Sequence, residues 1–177
     1  MFSKKEARAW IKAEIAKISV EEKQNKEKLI FENLKILLKS ANGVWAGYQA
    51  LLSEPQVSCS LIDGPVWAYP VMQGEQLVFK KRSSQFCASK WGVIEPLDGE
   101  IVPLSEVQGA VIPGLGFHQR GYRLGRGKGF YDRSLASYQK TKIGVCYDLA
   151  FSEKIAYEDH DLRMDYVVTE SQVYKIK

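Results

Sequence analysis

The sequence predicts an α/β protein, a three-layer domain in which a mainly parallel β-sheet is flanked by helices. Three observations predict this fold class. Two amphipathic helical segments begin the chain, short apolar runs follow them, and Gly, Pro, Asp and Ser residues bound those runs. Several runs are continuous rather than alternating, which is typical of strands buried on both faces in parallel sheets covered by helices.

The two N-terminal helices are indicated first. Ser3 with Glu6, and Ser19 with Glu22, fit the S-x-x-E capping box, in which side chains satisfy the free N–H groups at a helix start. Apolar residues at helical spacing follow each box and predict one packed face per helix. These residues are Trp10, Ile11, Ile15 and Ile18 in the first helix, and Leu29, Ile30, Leu34, Leu37 and Leu38 in the second.

The apolar runs predict the strands of the sheet. They occupy residues 44–48, 66–72, 77–79, 110–112, 143–147 and 166–169. The segment from Lys80 to Gln108 is the least regular, and we expect a long loop or a small hairpin there. Because no repeat, low-complexity tract or linker divides the chain, residues 1–177 are expected to form a single domain.

Composition excludes several classes of protein. The 177 residues are 45% hydrophobic and 26% charged, which excludes a disordered or collagen-like chain. Residues 1–40 carry ten basic and six acidic side chains, whereas residues 41–177 carry fifteen of each. This modest excess argues against a protein that coats nucleic acid, because such binding needs many phosphate contacts along a basic face.

Cysteine and histidine usage indicates the compartment and the class of metal. Cys59, Cys87 and Cys146 stand far apart, a pattern that fits reduced thiols in a cytoplasmic protein. No apolar run is long enough to cross a bilayer, so we expect no membrane association. Two histidines without a Cys or His cluster do not form a usual zinc site, which leaves oxygen-ligated Mg²⁺ as the metal that the composition allows.

A glycine-rich segment carries the chemistry. Residues 109–133 hold seven of the fourteen glycines together with five basic side chains. Glycine lets successive amides turn toward an anion, basic side chains neutralise it, and a helix expected after Gly129 would point its N-terminus at the same place. These features are typical of a loop that binds polyphosphate. A basic surface loop that contacts RNA stays open as the alternative.

The segment matches neither generic nucleotide motif. A Walker A loop needs Gly where Tyr122 stands and Ser or Thr where Gly129 stands, and the glycine spacing also differs from G-x-G-x-x-G. Asp132 just after the loop and Asp161 before the last strand are candidate Mg²⁺ ligands. Each of these aspartates could instead favour a helix start or cap a loop.

The strings VIPGLGF and RLGRGKGFYDR closely resemble the signature of the 5-formyltetrahydrofolate cyclo-ligase family. Weaker matches extend across nearly the whole chain and gain weight from their order. They are Lys4 with Arg8 in the first helix, Tyr48 to Glu54, Trp91 to Pro96, and His160 with Asp161 before a final VVT.

The resemblance implies an α/β enzyme that uses ATP and Mg²⁺ to close 5-formyltetrahydrofolate into 5,10-methenyltetrahydrofolate, with release of ADP and phosphate. ATP would phosphorylate the formyl oxygen, after which N10 attacks the activated carbon and phosphate leaves. Such a site has to align its reactants and stabilise charge on the transferred group.

The resemblance also implies roles for individual residues. Arg126 and Lys128 would be catalytic, and Asp132 and Asp161 would hold Mg²⁺. The residues that would bind ATP are Lys4, Arg8, Arg123, Leu124, Gly125, Arg126, Gly127, Lys128, Gly129, Phe130 and Tyr131. The residues that would bind the folate are Glu54, Tyr48, Trp91, Arg126 and Phe130, with the Glu54 carboxylate accepting hydrogen bonds from the pterin.

The chain departs from the family pattern at a few positions. His118 stands where Asp commonly follows the Phe, Ala150 and Ala156 replace a usual Gln and Pro, and Gln56 stands where an acid is frequent. These departures motivate a second hypothesis, a folate- or nucleotide-binding relative that does not turn over. The basic N-terminal helices motivate a third, an RNA-contacting protein. The leading hypothesis is the enzyme, which we expect to be a monomer with a small-molecule substrate and no nucleic-acid partner.

Overall fold

The computed structural model describes residues 1–82, 85–89 and 94–177. Within them the α-helices are α1 (Lys4–Lys17), α2 (Val20–Leu37) and the short α3 (Phe130–Ser134), and short 3₁₀ helices cover Cys59–Leu61 and Asp148–Ala150. The two N-terminal helices that the capping boxes predict are therefore confirmed. None of the described helices is both long and apolar enough to cross a membrane.

Side chains at the helix starts explain where α1 and α2 begin. The Ser3 hydroxyl accepts from the backbone N–H of Glu6, and the Glu6 carboxylate accepts from the backbone N–H of Ser3, which completes the predicted capping box. The Ser19 hydroxyl accepts from the backbone N–H of Glu22 at the start of α2. Each cap satisfies an N–H group that has no partner inside its own helix.

The packed faces of the helices follow the predicted pattern with one correction. Ile11 and Ile15 are buried on α1, and Ile30 and Leu34 are buried on α2. Leu29, predicted on the packed face, is 52% exposed. It lies about 100° around the helix from Ile30, which places it outside the narrow face that the sheet covers.

The strands account for all six predicted apolar runs. Those in the described part of the chain are β1 (Val44–Ala46), β2 (Val66–Gln73), β3 (Gln76–Lys81), β4 (Phe86–Ala88), β5 (Ile94–Pro96), β6 (Ile101–Val102), β7 (Val107–Pro113), β8 (Gly116–Phe117), β9 (Arg123–Leu124), β10 (Thr141–Val145), β11 (Tyr166–Val168) and β12 (Val173–Lys175).

Eight strands form one sheet in the order β12-β11-β10-β7-β1-β2-β3-β6. The pairs from β11 to β2 are parallel, whereas β12 at one edge, and β3 and β6 at the other, pair antiparallel. The fold is thus the mainly parallel, three-layer α/β fold that the sequence predicts. The antiparallel edges are additions that apolar patterning does not reveal.

The core is centred on β7, which lies beside β1 in the middle of the eight-stranded sheet. Ala110, Val111 and Ile112 are at most 1% exposed. Gly109 in the same strand faces the Trp45 ring of β1, and a Cβ atom at this position would lie 2.3 Å from that ring. Glycine here therefore lets the indole lie flat against the neighbouring strand.

The irregular segment from Lys80 to Gln108 contains the antiparallel pair of β4 and β5, and it also supplies β6 to the large sheet. The small-hairpin alternative agrees with this pair. Trp91, predicted to bind the folate, lies outside the described residues.

Candidate active site

The candidate site lies at the carboxyl edge of the parallel strands. Strand β1 leads into residues 47–54, β2 runs through Pro70 toward Met72, and β7 ends at Pro113. Because these strands are mutually parallel where they pair, their carboxyl ends meet at one edge of the sheet. Ligands of α/β sheets commonly bind at this edge.

Residues 125–129, here called the glycine loop, connect the β8–β9 pair to α3. Gly127 and Gly129 have φ values of +97° and +66°, a left-handed backbone that strains other residues. The helix expected after Gly129 is present, but α3 is only five residues long. A helix this short has a small dipole, so an anion at this place would depend mainly on basic side chains and loop amides.

One side of the glycine loop lines a cavity of about 410 Å³, here called the cationic cavity. Basic side chains from three parts of the chain surround it together with loop backbone. The lining residues are Lys4, Arg8, Arg123, Leu124, Gly125, Gly127, Gly129, Asp132, Arg133, Ala136, His160 and Asp161. Four Lys and Arg side chains against two Asp side chains give this cavity a positive balance that suits a polyphosphate.

Helix α1 brings Lys4 and Arg8 into the cationic cavity on one face, as their spacing predicts. The Arg8 Nε donates to the Gly125 carbonyl at 2.8 Å, which ties the helix to the glycine loop. The Lys4 Nζ lies 2.8 Å from the carboxylates of both Asp161 and Glu158. Burial alone would lower the pKa of Lys4, but its hydrogen bonds and charge interactions with these two acids raise the pKa instead.

Arg123 is an anchor of the site. It is 8% exposed, its Nε donates to the Pro113 carbonyl at 2.8 Å, and its guanidinium lies over the Tyr131 ring at 4.7 Å. Its Nη1 also lies 3.7 Å from the Asp132 carboxylate. These contacts hold the beginning of the glycine loop against the end of β7.

Asp132 and Asp161, the predicted Mg²⁺ ligands, both line the cationic cavity. Asp132 Oδ1 accepts from the Leu162 N–H at 3.2 Å, and Asp161 Oδ2 accepts from the Glu158 N–H at 2.7 Å. Carboxylate oxygens are the hard ligands that Mg²⁺ prefers, but both oxygens of Asp161 also lie 2.8 Å from the Lys4 Nζ, so a bound Mg²⁺ would compete with this ion pair. Within the described residues, the group of three or more potential metal-ligating side chains whose ligand atoms all lie within 4.8 Å of one another is Glu158, His160 and Asp161, and it does not include Asp132.

The other side of the glycine loop lines a second cavity of about 270 Å³, here called the apolar cavity. Its lining residues are Gln49, Leu51, Glu54, Pro70, Met72, Leu77, Glu95, Pro113, Arg123, Arg126, Lys128, Gly129, Phe130 and Tyr131. Apolar and aromatic side chains with a few charged groups are typical of a site for a flat organic ring.

The loop residues divide between the two cavities in alternation. Gly125 and Gly127 line the cationic cavity, Arg126 and Lys128 line the apolar cavity, and Gly129 lines both. The glycine loop therefore forms a shared wall. It presents backbone to the cationic side and two basic side chains to the apolar side.

Arg126 and Glu54, which the resemblance assigned to one site, do meet in the structure. The Arg126 Nε donates to Glu54 Oε1 at 3.1 Å, and the Leu51 N–H donates to Glu54 Oε2 at 2.9 Å. Glu54 is only 4% exposed. Arg126, whose side chain is 31% exposed, thus compensates the buried charge of Glu54, because an unpaired buried carboxylate is costly.

Tyr48 has a different position from the one expected. It is 2% exposed, does not line the apolar cavity, and donates its hydroxyl to the Pro55 carbonyl at 2.7 Å. This contact fixes the turn that carries Glu54, so Tyr48 supports the site from the core. Phe130, expected at the folate, does line the apolar cavity.

Glu95 is a cavity residue that sequence reasoning did not single out. It lies on β5, is 8% exposed and lines the apolar cavity. The sequence did contain a signal for this residue, because Glu95 lies in the string WGVIEP, which matches the family. An acidic residue inside such a string is a candidate for ligand binding.

The three departures from the family pattern that motivate a non-catalytic relative lie outside the two cavities. His118 is 5% exposed, its Nδ1 accepts from the Arg120 N–H at 2.9 Å, and its ring packs on Tyr157. Ala150 is fully buried. Gln56 lies at the surface, where its amide donates to the Ala50 carbonyl.

The sheet, the shared loop and the paired cavities define an α/β protein with a glycine-rich loop at its candidate site. The family model for the 5-formyltetrahydrofolate cyclo-ligase family matches residues 1–170. The chain belongs to this family.

Individual relatives agree with this assignment. The chain is 37% identical over 79 residues to 5-formyltetrahydrofolate cyclo-ligase of Escherichia coli, an alignment that covers 43% of each chain. It is 34% identical over 93 residues to the mouse protein of the same name, covering 46% of this chain and 45% of that one. The aligned parts thus span less than half the length of these relatives.

Solved structures extend the likeness in fold. A 5,10-methenyltetrahydrofolate synthetase of Aquifex aeolicus superposes with a TM-score of 0.80 at 26% identity, covering 98% of this chain and 93% of that chain. A 5,10-methenyltetrahydrofolate synthetase of Mycoplasma pneumoniae superposes with a TM-score of 0.78 at 22% identity, covering 94% and 98%. The likeness to these structures therefore extends over nearly the whole fold.

Proposed function

We propose that the protein is an ATP- and Mg²⁺-dependent enzyme that converts 5-formyltetrahydrofolate into 5,10-methenyltetrahydrofolate, with release of ADP and phosphate. The observation that carries the proposal is the glycine loop as a wall between a cationic and an apolar cavity. A triphosphate on one side and a folate ring on the other would approach each other at this wall. The family membership and the names of the relatives support the same reaction.

The reaction transfers the γ-phosphoryl group to the formyl oxygen, and ADP leaves. N10 of the folate then attacks the activated formyl carbon, the ring closes, and the oxygen leaves with phosphate. Lys4, Arg8 and the loop amides bind the triphosphate in this proposal. Arg126 and Lys128 stabilise charge on the group that moves between the cavities, where positioned cations accelerate phosphoryl transfer most.

The remaining residues position the reactants. Glu54 accepts hydrogen bonds from the pterin and holds Arg126 beside it, while Phe130 contacts the ring. Asp132 and Asp161 would hold Mg²⁺, which neutralises phosphate charge when it is bound. Tyr48, because of its burial, takes the supporting role described above rather than a stacking role.

The proposal is tested by the near-ultraviolet absorbance of methenyltetrahydrofolate in mixtures of protein, 5-formyltetrahydrofolate, ATP and Mg²⁺. We expect absorbance to grow only in the complete mixture. Arg126→Ala and Lys128→Ala should each lose at least about 100-fold in kcat, whereas Lys17→Ala, on the outer face of α1 with a side chain 69% exposed, should keep full activity. Full activity in both site variants would contradict the assigned roles.

The non-catalytic alternative has its own outcome in the same experiment. Folate binding by calorimetry without any ADP production in the complete mixture would favour a binding protein. The positions of His118, Ala150 and Gln56 support the enzyme proposal, because these residues line neither the cationic nor the apolar cavity.

A further inference from the structure

In the part of the chain that the structure describes, one oxygen of the Glu95 carboxylate in the apolar cavity has no hydrogen-bond partner. Glu95 Oε1 accepts from the Met72 N–H at 3.3 Å, whereas Oε2 makes no hydrogen bond with any residue in the ranges 1–82, 85–89 and 94–177. The residue is 8% exposed and lines the cavity. This oxygen is open to the cavity rather than sealed in the core, so it is available to accept from a ligand that brings N–H or O–H donors.

The second acid of the cavity is already engaged. Glu54 receives Arg126 on one oxygen and the Leu51 N–H on the other. A carboxylate offers about four acceptor positions, so Glu54 keeps only part of its capacity. A reduced pterin presents N–H groups at N3, at N8 and on the 2-amino substituent, which is more than the rest of the Glu54 carboxylate can accept.

We propose that Glu95 determines specificity for the pterin by accepting hydrogen bonds from its 2-amino group and N3–H. This inference rests on the proposed function. Arg126 marks the reacting end of the ring, next to the formyl group on N5, and Glu54 is held beside Arg126. Glu95 is therefore the acid left for the opposite end, where two neighbouring N–H groups match the two oxygens of a carboxylate.

The primary test is Glu95→Gln in the full-length protein. The Gln side chain has the same shape as Glu and can keep an oxygen for the Met72 N–H. It places an NH₂ group at the position of Oε2, so this donor would face the N–H donors of the pterin. We expect the KM for 5-formyltetrahydrofolate to rise at least about tenfold, with the KM for ATP unchanged. Glu100→Gln is the matched control, since the Glu100 side chain lies nearby in sequence and is 72% exposed.

A ligand-side test separates recognition from a structural role. The second compound is 5-formyltetrahydrofolate with a methyl group in place of the 2-amino group. The unmodified protein should bind it at least about tenfold more weakly than the parent folate, and Glu95→Gln should bind the two compounds with nearly equal affinity. Thermal melting and the ATP KM verify that the variant is folded.

Three results would overturn the inference. Unchanged affinity and discrimination in Glu95→Gln would remove Glu95 from recognition. Equal weakening toward both compounds, with discrimination kept, would make Glu95 a structural residue. Absence of folate binding and turnover in the unmodified protein would refute the proposed function and this inference with it, a result distinct from the other two.

Discussion

At the scale of single residues, charge pairing depends on burial more than on distance. Arg126 and Glu54 lie 3.1 Å apart with side chains 31% and 4% exposed, while Lys81 and Glu100 lie 2.6 Å apart with side chains 43% and 72% exposed. Water screens the second pair and weakens it despite its shorter distance. The first pair leaves a buried carboxylate behind when its Arg is removed.

This difference gives a stability prediction. Arg126→Ala should lower the free energy of unfolding by about 1–3 kcal/mol, and the double variant Glu54→Gln/Arg126→Ala should cost clearly less than the sum of the single variants. Urea unfolding of all four proteins measures the coupling. The matched cycle at Lys81 and Glu100 should give at most about 0.5 kcal/mol. Additive costs at Arg126 and Glu54 would refute the coupling.

His118 gives a pH prediction. Burial, and then the positive charge of Arg120, lower the pKa of His118 below its ordinary value of 6.5. The unfolded chain therefore takes up a proton, as pH falls, before the folded protein does, so stability should fall as the pH drops through 6.5 toward the lower pKa of the folded protein. His118→Asn should reduce this fall in melting temperature, since Asn keeps an acceptor for the Arg120 N–H.

His160→Asn is the control for this experiment. The His160 side chain is 74% exposed, and its replacement should leave the pH dependence of melting as it is in the unmodified protein. An equally steep fall in His118→Asn would contradict the assignment to His118.

At the scale of elements, the glycine loop owes its shape to left-handed backbone. Gly127 has φ +97° and lies beside the Arg8 guanidinium, where a Cβ atom would have ordinary contact at 3.6 Å. Glycine is therefore required at position 127 by the left-handed backbone conformation and not by a lack of space for a Cβ atom. Gly74, in the turn between β2 and β3, has φ +64°, and a Cβ atom there would meet no other atom within 4 Å. It lies away from both cavities.

These two glycines form a matched pair of variants. Gly127→Ala and Gly74→Ala should each lower the free energy of unfolding by about 1–2 kcal/mol. Only Gly127→Ala should also lower kcat, by at least about tenfold, because the shared wall between the cavities shifts. Turnover and urea unfolding are measured on both. Unchanged turnover in Gly127→Ala would show that the reaction tolerates a change in the loop.

The sequence predicts elements well where the signal is local. Capping boxes locate α1 and α2, and apolar runs locate all six main strands. Strand β12 was not predicted, because its three residues become a strand only by pairing with β11. Leu29 was placed wrongly because a helical pattern defines the centre of a packed face better than its edges.

The site was predictable only in part, because several of its contacts join residues that are far apart in the sequence. The glycine string identified the loop, and the structure brings most of its expected partners to the two cavities. Glu95 stood in a matched string, but its burial and its unpaired oxygen arise from packing against β2. The Arg126–Glu54 pair joins residues 72 positions apart, a contact that no local pattern indicates.

At the scale of the whole molecule, the three cysteines report on folding. Cys59 and Cys146 are buried and Cys87 is exposed. Burial raises the pKa of Cys59 to about 12 and raises the pKa of Cys146, which suppresses the reactive thiolate at both positions. We expect a thiol reagent to modify Cys87 alone in the native protein and all three thiols in urea.

Mass spectrometry of peptides from the modified protein locates the label, and Cys87→Ser is the control that should give an unlabelled native protein. Rapid labelling of Cys146 under native conditions would contradict this picture, because that residue lies at 1% exposure beside the central strands.

The ion pair between Lys4 and Asp161 joins residues 157 positions apart. A growing chain on the ribosome therefore completes α1 long before the partner of its first lysine has been made. The cationic cavity can acquire its final form only after Asp161 has been made, in about the last tenth of the sequence. Under the proposed function, stalled nascent chains that end before Asp161 should accordingly bind no ATP.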